Sequence, residues 1–115
     1  KAAIAAMKPG VTRQETHDIA QRIVEKWGFD PRFAHGAGHF VGMAVHDVGD
    51  YSLPLQVGMV IAVEPIIEIQ EEERHIGIED TVLITEDGHE VLSAAVPKEL
   101  DEVLALVGRS VGERP

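Results

Sequence analysis

Five side chains in this sequence have the types and spacing to act together on a metal ion or a carbonyl group. Three are histidines in one glycine-rich stretch: His35, His39 and His46 of "FAHGAGHFVGMAVHDVG". Two are carboxylates set in apolar runs, Glu64 in "VIAVEPII" and Glu79 in "HIGIEDTVLI". Each histidine alone is an ordinary surface or core residue, but a buried imidazole must have its ring nitrogens satisfied. A carboxylate inside a β-branched run is expelled to solvent unless its charge is compensated, because an unpaired buried charge is very costly. A divalent cation would compensate it, and imidazole with carboxylate suits manganese, cobalt, zinc or iron. Two alternatives stay open on spacing alone. Glu64 and Glu79 could face solvent from half-buried strands, or pair with Arg32 and Arg74.

The elements that must position these groups can be read from the pattern. Residues 1–8 favour a helix that "KPG" ends. Thr12, with Glu15 three residues on, has the capping-box spacing for a second helix. Ile19, Ile23, Val24 and Trp27 would form its apolar face, with Trp27 an anchor at the edge of the core and Gly28 a C-terminal stop. From Phe33 the pattern turns to strands. "MVIAVEPIIEI" reads as one long β-branched strand, "EEER" as a solvated hairpin tip, and Asp87-Gly88 as a hairpin turn. Pro65 would normally demote a central strand, since it has no amide to donate. Gly36, Gly38 and Gly42 either allow close backbone approach near the histidines or are ordinary turn residues. "PKELDEVLALVG" predicts a closing helix over 97–108 with Leu100, Val103, Leu104 and Val107 on one face, and 109–115 a frayed tail. Two helices, several mainly antiparallel strands and a last helix make an α+β domain.

Composition narrows the partners. At 115 residues the chain makes one small domain, with 20 acidic against 10 basic residues and a formal charge of -10. A nucleic-acid partner needs a basic footprint, which this balance argues against. No apolar run approaches the roughly 20 residues that span a bilayer, so no membrane partner is expected. There is no cysteine, which excludes disulfides and thiolate metal sites. The start at Lys1, inside an apparent helix, suggests a piece of a longer chain.

"HGAGHFVGMAVHDVG", "GMVIAVEP" and "GIEDTVLITEDGHEVLS" stand in the order and approximate spacing of the pita-bread metallopeptidases. That family comprises the Xaa-Pro aminopeptidases, the Xaa-Pro dipeptidases (prolidases) and the methionine aminopeptidases. "AAIAAMKPGVTRQETHDIAQRIVEKWGF" resembles the helix pair before its first His-rich motif, and the paired "HGAGH" and "VHDVG" look closer to the Xaa-Pro peptidases. The resemblance implies half of a pita-bread fold, helices packed on a curved sheet. It implies hydrolysis of peptide bonds near the N-terminus, most of all Xaa-Pro bonds, by a hydroxide held between two divalent ions (Mn, Co or Zn). Carried over residue by residue, His39, Glu64 and Glu79 would be metal ligands, with Glu64 also the general base. His35 and His46 would contact substrate and stabilise the tetrahedral intermediate.

Departures from the family pattern limit this expectation. The family uses five protein ligands, two of them aspartates from an upstream motif that this chain lacks; Asp18 and Asp30 do not stand in its place. The chain is therefore expected to be the second half of the catalytic domain, to bind metal weakly or not at all, and to have little activity alone. Gly77 stands where many Xaa-Pro peptidases have an arginine, and Ile66 where a glycine often follows "EP". An exposed sheet edge and apolar face should make the chain self-associate, as a homo-oligomer. The alternative is a metal-free protein-binding module on the same fold. A cytoplasmic location is expected.

Overall fold

The computed structural model describes residues 1–33 and 36–107. His35, the end of the expected closing helix and the expected tail lie outside the described residues. In chain order the elements are α1 (Ala2–Ala5), α2 (Arg13–Lys26), β1 (Gly38–Phe40), β2 (Val60–Val63), β3 (Ile66–Ile69), β4 (Arg74–Gly77), β5 (Asp80–Ile84), β6 (His89–Val91) and α3 (Leu100–Leu106). The fold is α+β. Among the described residues no helix is long and apolar enough to cross a membrane.

Helix α2 starts where its sequence says it should. The Thr12 hydroxyl accepts from the Glu15 amide at 3.2 Å, and the Glu15 carboxylate accepts from the Thr12 amide at 2.7 Å. Two amides that the helix itself cannot satisfy are thereby paired. Gly28 follows the C-cap at φ +75°, as a stop glycine should. The packing face differs from the expected one. Small residues, Thr16 and Ala20, are the buried positions of α2, and α1 fits closely against the helix. Trp27 is 72% exposed and is not an anchor. It sits about 10 Å along the axis from Ala20, and α1, a single turn, does not reach it.

Four strands form an antiparallel sheet in the order β1-β2-β5-β6. Phe40 opposes Ile61, Ile61 opposes Val82, and Val82 opposes Val91. Directly opposed residues share a face, so this row defines the core side, where Ala3, Ile4, Met7, Ala20 and Leu55 join it. The expected long strand is split. β2 ends at Val63 and β3, from Ile66, pairs with β4 in a separate two-stranded sheet. Pro65 is the cause: it removes a ladder donor at the point where the chain leaves the main sheet.

Helix α3 is shorter than expected, and its apolar residues are uncovered. Leu100, Val103, Leu104 and Val107 are all exposed, Leu104 at 60%. An amphipathic stripe forms a helix pattern whether or not a partner is present to bury it.

Candidate metal centre

The sheet register gathers the expected ligands onto one face. His39 opposes Ala62, and Ala62 opposes Thr81, on the side away from the Phe40 row. Glu64 lies two residues beyond Ala62, so it returns to the His39 face. Its amide donates to the Ala37 carbonyl at 3.0 Å, carrying the β1–β2 pairing one rung past the strand end. Ala62 is fully buried yet stands apart from the core cluster, on the same sheet face as His39. Gly38, just before His39, has φ +153°, and a Cβ there would fall 1.8 Å from the Ala62 carbonyl oxygen. Only glycine permits β1 to approach β2 this closely.

His39 is buried, and its hydrogen bonding fixes which nitrogen is available. Nδ1 lies 3.0 Å from the Phe40 carbonyl oxygen. A carbonyl only accepts, so Nδ1 carries a proton, and in the neutral ring Nε2 is the nitrogen with the lone pair. Nε2 faces the Glu64 carboxylate, 3.3 Å from Oε1. Two acceptor atoms at that distance repel unless a proton or a cation lies between them. The donor set and the tautomer both fit a divalent metal.

His46 completes the cluster because of a loop closure. The Asp47 amide donates to the Phe40 carbonyl at 3.0 Å, which folds residues 41–46 back on themselves. The His46 ring then comes to 4.2 Å from the His39 ring, tilted by 56°. Ligand atoms of His39, His46 and Glu64 all lie within 4.8 Å of one another. The spacing alone gave no sign that His46 would stand this close.

Glu79 stands one position further out. Val63 opposes Asp80, so continuing the register sets Glu64 opposite Glu79. Its residue is exposed, and its carboxylate is not in the three-group cluster. Asp80 points to the other face and is firmly held: Oδ1 accepts from Ser93 Oγ at 2.5 Å and pairs with Lys98 Nζ at 2.8 Å. Burial pushes the Asp80 carboxyl up, but the Lys98 and Ser93 hydrogen bonds and the lysine charge outweigh it and hold it below the usual carboxylate range. The arginines considered as partners are occupied elsewhere. Arg32 pairs with Glu71 at 3.2 Å and Arg74 with Glu72 at 3.0 Å.

Comparison with known proteins decides the family. Residues 1–86 match the family model of metallopeptidase family M24. The chain belongs to that family. It is 42% identical to the Xaa-Pro aminopeptidase of Haemophilus influenzae over 93 residues, 70% of this chain and 22% of that protein. It is 38% identical to Xaa-Pro aminopeptidase 2 of Streptomyces coelicolor, covering 97% of this chain and 31% of that protein. Among solved structures, the prolidase of Pyrococcus furiosus superposes with a TM-score of 0.75 at 39% identity, over 85% of this chain and 29% of that one. An Xaa-Pro dipeptidase from Bacillus anthracis gives 0.78 at 29% identity, over 86% and 28%. The M24 fold is therefore present here as mixed helix and antiparallel sheet, and the chain spans under a third of the length of these relatives.

Proposed function

We propose that this chain contributes the His39–Glu64 part of a divalent-metal site that hydrolyses peptide bonds near the N-terminus of a peptide, preferentially Xaa-Pro bonds. The observation that carries the reading is His39 Nε2 set 3.3 Å from the Glu64 carboxylate with Nδ1 already committed to Phe40. His39 and Glu64 would hold the metal, with Glu79 a further ligand from the next rung of the ladder; manganese, cobalt or zinc suits these donors. The metal's contribution, when bound, is to polarise the scissile carbonyl and make water more acidic. Two ions are expected in the complete site.

The protein groups divide the remaining work. The Glu64 side chain is 26% exposed, so its carboxylate meets both the buried imidazole and solvent and can accept a proton from an attacking water. His46, exposed beside His39, would donate a hydrogen bond to the substrate carbonyl as negative charge develops there, a role its nearness to the His39 ring supports. The same substrate-side role is proposed for His35. The domain reading is likewise proposed: a helix pair over 1–29, site strands over 33–93 and a closing helix over 97–108 of a catalytic half. β1 and β6 are the sheet's free edges and the stripe of α3 is exposed, which supports self-association.

Titration of the chain with manganese, cobalt or zinc, alongside His39→Ala and Glu64→Gln, tests the site. Saturable uptake by the parent that both substitutions weaken by tenfold or more is expected, with affinity weak and turnover of Xaa-Pro dipeptides slight for these 115 residues alone. Equal uptake by all three proteins would refute the ligand assignment. The second reading, a metal-free binding module, draws support from the exposed position of Glu79 outside the cluster. No saturable uptake by the parent, alone or with the preceding part of an M24 relative's catalytic domain supplied, would favour it.

A further inference from the structure

Arg13 belongs to none of the groups discussed so far, yet it bridges two segments beside the proposed metal centre, residues 36–38 and the loop that carries Tyr51. It is the first residue of α2, directly after the capping Thr12. Its Nη2 donates to the Gly38 carbonyl, the residue before His39. The guanidinium lies over the Tyr51 ring, 4.1 Å from the centroid. Tyr51 stacks on Phe40 at 4.9 Å and 24°, and the Phe40 carbonyl is the acceptor that sets the His39 tautomer. Gly36 is packed so close that a Cβ there would come 2.6 Å from Nη2. Nε is buried without a hydrogen-bond partner among the described residues, where the guanidinium is held by its carbonyl bond and its stack.

We infer that Arg13 is a positioning residue, a clamp that fixes the backbone before and after His39 and so sets the imidazole's orientation toward Glu64. β1 is only three residues long and lies at the edge of the sheet. One partner strand gives it few ladder bonds to resist fraying. A planar guanidinium bridges a carbonyl on one side of His39 and an aromatic stack on the other, which an ammonium cannot do with the same geometry. Outer groups that orient a ligating histidine commonly change metal affinity by 10–100-fold. The clamp rests on the metal-site reading for its functional meaning but not for its existence.

The test uses amide hydrogen exchange on the metal-free chain, with metal titration as a second readout. Arg13→Ala is expected to speed exchange of the Glu64 amide, which is bonded to Ala37, by at least tenfold. The Ile84 amide, bonded to Met59, should be unchanged. Arg22→Ala, at an exposed position of the same helix, should change neither. Zinc affinity should fall about tenfold in Arg13→Ala while the thermal midpoint moves little. Arg13→Lys should resemble alanine; full rescue by lysine would show that charge alone acts and would overturn the clamp. Unchanged exchange at Glu64 in Arg13→Ala would also overturn it. Should Arg13→Ala fail to fold, Tyr51→Leu removes the stack alone, and a smaller acceleration at Glu64 is then required. If no zinc is taken up even with the preceding part of an M24 relative's catalytic domain supplied, the hydrolase reading fails while the exchange result still decides the clamp.

Discussion

Removing the Asp80 carboxylate should produce an acid-sensitive loss of stability large enough to measure and small enough to leave the chain folded. Asp80 begins β5, its side chain is 15% exposed, and that of its partner Lys98 is 22% exposed. Ser93 Oγ donates to the carboxylate and itself accepts from the Thr81 amide at 3.1 Å, while Lys98 Nζ also donates to the Ser93 carbonyl at 2.7 Å. Asp80→Asn keeps the shape but leaves the ammonium facing a neutral amide. Losing one charge-assisted hydrogen bond costs about 1.5–3 kcal/mol, and the partial exposure of both groups favours the lower half of that range. For a domain of this size about 2 kcal/mol lowers the thermal midpoint by roughly 8 °C. The pH dependence follows from the depressed carboxyl. A group whose folded pKa lies below its unfolded value stabilises the fold fully above the unfolded value, about 3.9 for aspartate, and loses that stabilisation as pH falls through the folded value. The parent and Asp80→Asn should therefore differ fully above about pH 5, and the gap should close progressively at lower pH. Thermal unfolding followed by circular dichroism from pH 2.5 to 7 measures this. A constant gap across that range would refute the assignment of the stabilisation to the ionised carboxylate. The double variant Asp80→Asn with Lys98→Met should recover part of the loss, because no unpaired ammonium remains.

Other consequences follow from the packing. Gly38→Ala should destabilise by about 3 kcal/mol or more, since backbone strain adds to a collision with the β2 carbonyl; Gly10→Ala, at φ +90° with open space around it, should cost only about 1 kcal/mol. Urea unfolding of the pair separates the two, and equal losses would mean the close β1–β2 approach is not what Gly38 supplies. Ile61→Ala, at a fully buried side chain, should cost about 2–5 kcal/mol, whereas Leu104→Ala on exposed α3 should stay within about 0.5 kcal/mol. A large loss at Leu104, growing with protein concentration, would instead show α3 buried between copies. Thr12→Ala should cost about 1 kcal/mol through the lost cap, read as a lower denaturant midpoint with an unchanged slope.

How much of the fold could be read from the residues depended on how local its cause was. The Thr12–Glu15 cap and the Gly28 stop are settled within a few residues, and each stands where its local chemistry puts it; the β5–β6 hairpin forms as expected but closes over residues 85–88, with the Thr85 amide donating to the Gly88 carbonyl and Gly88 not at positive φ. Trp27 and the α3 stripe fail for one reason: apolarity states that a side chain gains by burial but not that a partner is within reach. Pro65 carried a signal that could have been followed further, since a missing amide inside "VIAVEPIIEI" is where the run divides into strands of two sheets. The site behaves the same way. Glu64 returns to the face of His39 because the strands alternate sides, whereas the β2–β5 ladder ends at Val63 and Asp80, one residue short of Glu79. His46 joins through an amide-to-carbonyl closure that no spacing rule encodes, and Arg13 carries no motif at all. What a family resemblance transfers is the ligand types; what orders them is the register, the loop closure and the packing beneath. A substitution at a residue that offers no ligand atom, Ala62 or Arg13, should therefore disturb the proposed metal centre more than its own chemistry suggests, because both adjoin the backbone that carries His39 and Glu64.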